Sequence, residues 1–160
     1  MRFTLIDRVV ALEPGKNITA VKNLSMAEEY LADHFPGFPV LPGVLMLEAM
    51  TQAAAWLVRV SEDFRHSVVV LKEARNVKYN KFVEPGQTLT VTAELLDRSE
   101  QEVKVKAQGE VDGEQAVSAR LTLATYNLAD SDPERALADD VVKLKLRELF
   151  ALLDRPRSAA

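Results

Sequence analysis

Hydrophobic and polar positions along this chain follow two periods. Residues 3–13 are rich in apolar and β-branched side chains. Pro14-Gly15 then supplies the fixed φ and the positive φ of a tight turn, so residues 17–24 read as the returning strand. Ser25 and Glu28 stand three apart, where a hydroxyl and a carboxylate can each satisfy a free N–H, and a short helix is expected to about Asp33. Pro36, Pro39 and Pro42 recur at intervals of three. Each removes a backbone donor and biases the preceding residue toward extended backbone, which makes a stiff non-helical loop. Residues 43–58 all suit a helix, and that helix is apolar almost all round. It must be buried on most sides, which in a chain otherwise full of strands means sheet wrapped around it.

Strand signals return at residues 67–71 and again at 77–83, closed by the turn Glu84-Pro85-Gly86-Gln87. Leu89, Val91, Ala93 and Leu95 share one face of a further strand, and Val103, Val105 and Ala107 share a face before the hairpin dipeptide Asp112-Gly113. Residues 115–126 supply the last long strand, giving an α+β chain of mostly antiparallel strands. A polar linker spans 127–132. Asp132-Pro133 then starts a tail helix whose apolar stripe is Val142, Leu146, Leu149 and Leu153. We therefore expect one domain over residues 1–126, followed over 127–160 by a linker and an amphipathic helix packed on the same domain or on a partner subunit.

Composition narrows the chemistry. At 160 residues one domain has room for a proper core and a second full domain does not fit. The absence of cysteine removes disulfides, thiolate metal sites and cysteine nucleophiles, and leaves two histidines, His34 and His66. A net charge of -4 offers no global positive field for nucleic acid or an anionic membrane. No stretch approaches the roughly 18 apolar residues of a membrane-spanning helix, and the first residues lack a secretory signal, so a cytoplasmic location is the expectation.

The stretch from His34 to Gln52 gathers groups that can move protons. His34 sits just before the proline loop, where an imidazole titrates near neutral pH on a stiff support. Glu48 falls in the apolar helix, where desolvation favours its protonated form unless the carboxylate is paired. Gln52 lies one turn later on the same face and can orient Glu48 by a hydrogen bond. Pro42 and Gly43 open the helix, whose first free N–H groups suit a developing oxyanion. Each residue has a plainer reading: His34 as a packed turn residue, Glu48 as half of a structural pair, Met46 and Met50 as core. His66, beside Arg65, reads as a surface residue. Lys72, Arg75, Lys78 and Lys81 read as a solvated strand edge, or as a docking patch for an acidic partner.

The sequence His34-Phe35-Pro36-Gly37-Phe38-Pro39-Val40-Leu41-Pro42-Gly43-Val44-Leu45-Met46-Leu47-Glu48-Ala49-Met50-Thr51-Gln52 resembles the signature of the 3-hydroxyacyl-[acyl-carrier-protein] dehydratases. Glu13-Pro14-Gly15-Lys16, Val21-Lys22-Asn23 and Val111-Asp112-Gly113 are also similar to that family, and the resemblance reaches about residue 126. It implies a hot-dog fold, an antiparallel sheet wrapped around one central helix, paired as a homodimer and often assembled further into a hexamer. It implies no cofactor and no metal, and a partner in the acyl-carrier-protein thioester itself. The implied reaction converts a (3R)-3-hydroxyacyl thioester into the trans-2-enoyl thioester and water in fatty acid biosynthesis. In it His34 of one subunit and Glu48 of the other are the catalytic pair, Gly43 holds the thioester carbonyl, and Gln52 orients. Glutamate at position 48 is similar to the branch that only dehydrates; the isomerising branch usually carries aspartate. From residue type alone, Phe35, Phe38, Met46 and Met50 are assigned to an apolar acyl slot.

The chain also departs from the family. The short basic lead usual before the first strand is missing, residues 76–82 replace a more arginine-rich stretch, and the tail from Asp130 is extra. Two other readings keep the fold. One is thioester hydrolysis with Glu48 activating water; the other is a non-catalytic acyl-thioester binding module.

Overall fold

The computed structural model describes residues 3–156. The last four residues of the tail segment lie outside the described residues. Six strands, β1 (Arg8–Glu13), β2 (Asn17–Asn23), β3 (Val68–Tyr79), β4 (Thr88–Arg98), β5 (Glu102–Val111) and β6 (Glu114–Tyr126), form one antiparallel sheet. Their order is β1-β2-β4-β5-β6-β3, so β1 and β3 are the edges. The helix α1 (Gly43–Ser61) packs against β2, β3, β4, β5 and β6 together, which is the hot-dog arrangement.

The sequence pattern accounts for this packing. β5 alternates buried and exposed residues, with Val103, Val105 and Ala107 inward. On α1, the small side chains of Ala49, Ala53 and Ala54 let the helix backbone approach the sheet, while Met50 and Leu57 fill the space between, all of them fully buried. Burial of each of the two large side chains contributes roughly 1.5–3 kcal/mol. Among the described residues no helix is long and apolar enough to cross a membrane.

Three expectations change. The two strands expected at 67–71 and 77–83 are one 12-residue strand, β3, whose register slips between Leu71 and Glu73 and between Arg75 and Lys78. Asn76 takes a φ of 53° within the second slip, so the bulges, not a turn, erase the period of two. The first strand starts later than expected, at Arg8, although Leu5 and Ile6 are already buried. The helix after Ser25 is only a 3-10 turn over Glu29–Ala32. Ser25 Oγ accepts from the Ala27 N–H at 3.0 Å, but the Glu28 carboxylate turns away to Lys22 Nζ, a buried ammonium, and to the Tyr30 hydroxyl.

The tail folds back onto this core. Asp132 caps a 3-10 turn at Pro133–Arg135 by accepting from the Glu134 N–H at 3.2 Å, and α2 (Ala136–Leu153) follows. Phe150 packs on Trp56 and Phe64, with ring centroids 5.7 and 6.3 Å away, and Leu153 is buried beside them. Arg147 lies 4.6 Å over the Phe64 ring and donates to Asp63 Oδ1 at 2.9 Å and Asp63 O at 2.8 Å. At the other end Asp139 is buried. Its carboxylate accepts from the N–H groups of Leu128 and Ala129, both at 2.9 Å, and from Ser67 Oγ.

Candidate active site

Proline and glycine set the position of His34. Phe35 and Phe38 exchange backbone hydrogen bonds at 3.0 and 2.9 Å across Pro36-Gly37, with Gly37 at a φ of 80° as a tight turn of this kind requires. The Val40 N–H donates to His34 O at 3.0 Å, and the Leu41 N–H donates to Val83 O at 2.9 Å, so the loop is fastened to the sheet side. The imidazole is partly buried, stacks on Phe35, and places Nδ1 3.0 Å from Val40 O. A carbonyl only accepts, so Nδ1 carries the proton. In the neutral ring Nε2 is therefore the free base.

Gly43 opens α1. Pro42 precedes it, no side chain caps the helix, and the first helical bonds are made by the Leu45 and Met46 N–H groups to Pro42 O, at 2.9 and 3.1 Å. The N–H groups before them are the ones a helix start leaves for a ligand oxygen. The Tyr79 ring packs directly on Gly43; a Cβ there would sit 3.0 Å from Tyr79 Cε1, tight enough that the ring would have to give by a few tenths of an ångström. His34, Phe35, Gly43, Met46, Tyr79 and Phe82 line one cavity of about 390 Å3.

Glu48 opens onto a different space. It lies five residues past Gly43, about 140° round the helix, and lines a second cavity of about 570 Å3 with Gln52, Trp56, Arg59, Val70 and Leu149. Gln52 Nε2 donates to Glu48 Oε1 at 3.0 Å and to Phe3 O at 2.8 Å, while the Leu5 N–H donates to Gln52 Oε1 at 2.9 Å. The chain before β1 thus holds the glutamine, and the glutamine holds the glutamate. Within one chain His34 and Glu48 do not share a cavity.

The four apolar assignments separate as well. Phe35 and Met46 line the His34 cavity. Phe38 is half exposed and meets Phe82 edge-on at 5.6 Å, outside that lining. Met50 is fully buried in the core and reaches neither cavity. His66, read from the sequence as a surface residue, is largely buried in the segment that follows α1. Its Nδ1 lies 3.0 Å from the buried carboxylate of Glu62, which also accepts from Arg98 Nη2 at 2.9 Å. The basic edge is largely compensated: Lys72 pairs with Glu102, Arg75 with Glu73 and Lys81 with Glu114. Arg59 carried no local signal, and Leu149 only that of the tail stripe. They line the cavity of Glu48 because α1 runs on for three turns and α2 folds back.

The model of the FabA-like domain family matches residues 1–120. The 3-hydroxyacyl-[acyl-carrier-protein] dehydratase FabZ of Albidiferax ferrireducens is 43% identical over 130 residues, 79% of this chain and 87% of its own length. That of Ruminiclostridium cellulolyticum is 40% identical over 122 residues, covering 76% and 86%. Among solved structures, the dehydratase heterocomplex ApeI:P from Xenorhabdus doucetiae superposes with a TM-score of 0.65 at 20% identity, covering 79% of this chain and 85% of that one. A mutant thioesterase, PA1618 (Q49A) from Pseudomonas aeruginosa, gives 0.60 at 18% identity, covering 74% and 80%. These structural likenesses establish the shared fold.

Proposed function

The chain belongs to the FabA-like family, and from that premise we propose that it dehydrates (3R)-3-hydroxyacyl-[acyl-carrier-protein] to the trans-2-enoyl thioester in fatty acid biosynthesis. The observation that carries this reading is the pair of prepared groups, a His34 ring with its Nδ1 proton committed to Val40 O and a Glu48 carboxyl group held by Gln52. His34 Nε2 takes the proton from C2 of the substrate. Electron density moves toward the thioester oxygen, which the N–H groups at Gly43 stabilise. The C3–O bond breaks, Glu48 in its protonated form delivers its proton to the departing hydroxyl, and water leaves as the C2–C3 double bond forms; Glu48 is left as carboxylate and His34 protonated until proton exchange with solvent resets both. On this reading the enzyme works in the cytoplasm.

The two groups act together in a homodimer. β3 is an edge strand, and its two ends serve different cavities: Val69–Leu71 line the one with Glu48, whereas Tyr79 and the residues after it line the one with His34. Antiparallel pairing of β3 with a second copy across a two-fold axis sets the start of each strand beside the end of the other. Each His34 cavity then adjoins the partner's Glu48 cavity, and the slot becomes continuous. The half-exposed side chains of Val70, Tyr79 and Phe82 at this edge are consistent with such a cover. A hexamer is not required by the site.

The test uses purified protein and 3-hydroxyacyl-carrier thioesters, with enoyl-thioester absorbance as readout. Wild type is expected to produce the enoyl signal, and His34→Ala to lower the rate by about two to four decades. No enoyl product from wild type overturns the proposal, and thiol release without enoyl product identifies a thioesterase instead.

A further inference from the structure

The cavity that holds Glu48 does not end where the chemistry ends. Along α1 it continues past Gln52 and Ala55 to Trp56 and Arg59. Glu48 and Arg59 are eleven residues apart, roughly 16 Å along the helix axis. The far end is walled by Leu149 of α2, with Phe150 behind it packed on Trp56 at 5.7 Å between centroids. α2 lies wholly beyond residues 1–120, the part the family model matches, so this wall lies outside the matched domain.

Arg59 is unusual for such a place. Its guanidinium sits 5.2 Å over the Trp56 ring, Nη2 makes only a long 3.4 Å contact with Val69 O, and the buried Nε has no hydrogen-bond partner. Among the described residues no carboxylate lies within ion-pair distance of it. The Glu62 carboxylate, which acts on it from nearby, is turned to Arg98 and His66. Burial pulls the Arg59 pKa down to about 10, partly countered by Glu62. A planar cation with five donors at the end of an apolar slot is costly unless something brings it an acceptor.

We propose that Arg59 receives the far end of the acyl chain, and that the preferred substrates are 3-hydroxyacyl thioesters whose terminal carbon carries a carboxylate. The inference rests on the dehydratase reading, which assigns the Glu48 cavity to the substrate. A carboxylate arriving along the slot meets the guanidinium as a forked, charge-assisted pair, whereas a methyl end leaves the partly buried guanidinium without an acidic partner.

The experiment compares 3-hydroxyacyl thioesters of equal length ending in methyl or carboxylate, on wild type and Arg59→Met. Wild type is expected to favour the carboxylate-ended series by roughly ten- to a hundredfold in kcat/KM, as a hydrogen bond to a charged group would give. Arg59→Met reverses the preference, with the change carried by KM. An equal effect on both series, or a wild-type preference for the methyl end, overturns the proposal. So does conversion of Arg59→Met to a monomer in size-exclusion chromatography, which makes Arg59 an interface residue. If wild type turns over neither series, the dehydratase reading fails, and binding still decides the inference. Trp56, the one tryptophan of the chain, reports on its neighbour, and a non-reactive carboxylate-ended acyl pantetheine is expected to quench it in wild type and not in Arg59→Met. No carboxylate-dependent quenching overturns the inference.

Discussion

Replacing Gln52 with leucine separates the stability of the site from its chemistry. Leucine keeps most of the side-chain volume and removes three hydrogen bonds: two donated by Nε2, to Glu48 Oε1 and Phe3 O, and one accepted by Oε1 from the Leu5 N–H. Phe3 is half exposed, so water replaces its partner at little cost. Leu5 is only 2% exposed, and its orphaned N–H costs about 1–3 kcal/mol. At about 2–4 °C of Tm per kcal/mol for a chain of this size, the loss is readily seen in a thermal melt. The released Glu48 carboxylate costs about 1.5–3 kcal/mol if the bond acts fully on the transition state, or one to two decades in kcat, with KM nearly unchanged. Gln52→Glu keeps an acceptor for Leu5 but sets a second carboxylate beside Glu48. The pair then shares a proton, and the pH–rate profile moves to higher pH. The assay is enoyl formation alongside the melt. A Gln52→Leu enzyme with a lowered Tm and a wild-type kcat refutes the orienting role.

Other predictions rest on separate parts of the fold. Gly109→Ala is expected to lose about 1–3 kcal/mol by overpacking, because a Cβ would meet Leu89 Cδ1 and Val117 Cγ1 at 2.8 Å each; an unchanged melt contradicts this. Gly43→Ala is expected to lower kcat/KM by displacing the Tyr79 ring that lies 3.0 Å from the added methyl, with little change in Tm because that ring is half exposed. At Asp139 burial pushes the pKa up, but hydrogen bonds from Ser67, Ala129 and Leu128 and the charge of Lys143 outweigh it and hold the carboxyl below the usual aspartate range. The unfolded chain therefore binds this proton more readily. The stability it contributes is present above the ordinary aspartate value near 3.9 and is lost as pH falls through the lower folded value. Trp56 fluorescence should show α2 docked through pH 5 and released only in stronger acid; release near neutrality contradicts that assignment.

The elements that carry strong periodicity were legible in the sequence. The all-round apolar character of residues 43–58 implied a helix inside a wrapped sheet, and α1 lies there, because no solvated arrangement satisfies so many apolar positions. β3 was not legible as one strand, since its two slips break alternation at Lys72 and around Asn76, and an edge strand has a neighbour on one side only to enforce it. The Ser25 and Glu28 pair lost to two near neighbours of Glu28, the buried Lys22 six residues before it and Tyr30 two residues after it, whose burial the local pattern does not announce. In the site, the Glu48 to Gln52 contact followed from a spacing of four. The coupling of Gln52 to Phe3 and Leu5, and the sharing of one cavity by Arg59 and Leu149, arise between segments far apart in the chain.

The central claim is that His34 and Glu48 work across two chains. It is tested by co-expressing His34→Ala and Glu48→Gln chains under different affinity tags and isolating all dimers together. Each variant alone is expected to be nearly inactive. Random pairing of equal amounts makes half of the dimers mixed, each with one intact site of two, so about a quarter of wild-type activity should return. A mixture no more active than its parents would mean that each site is built within a single chain, and would contradict the account.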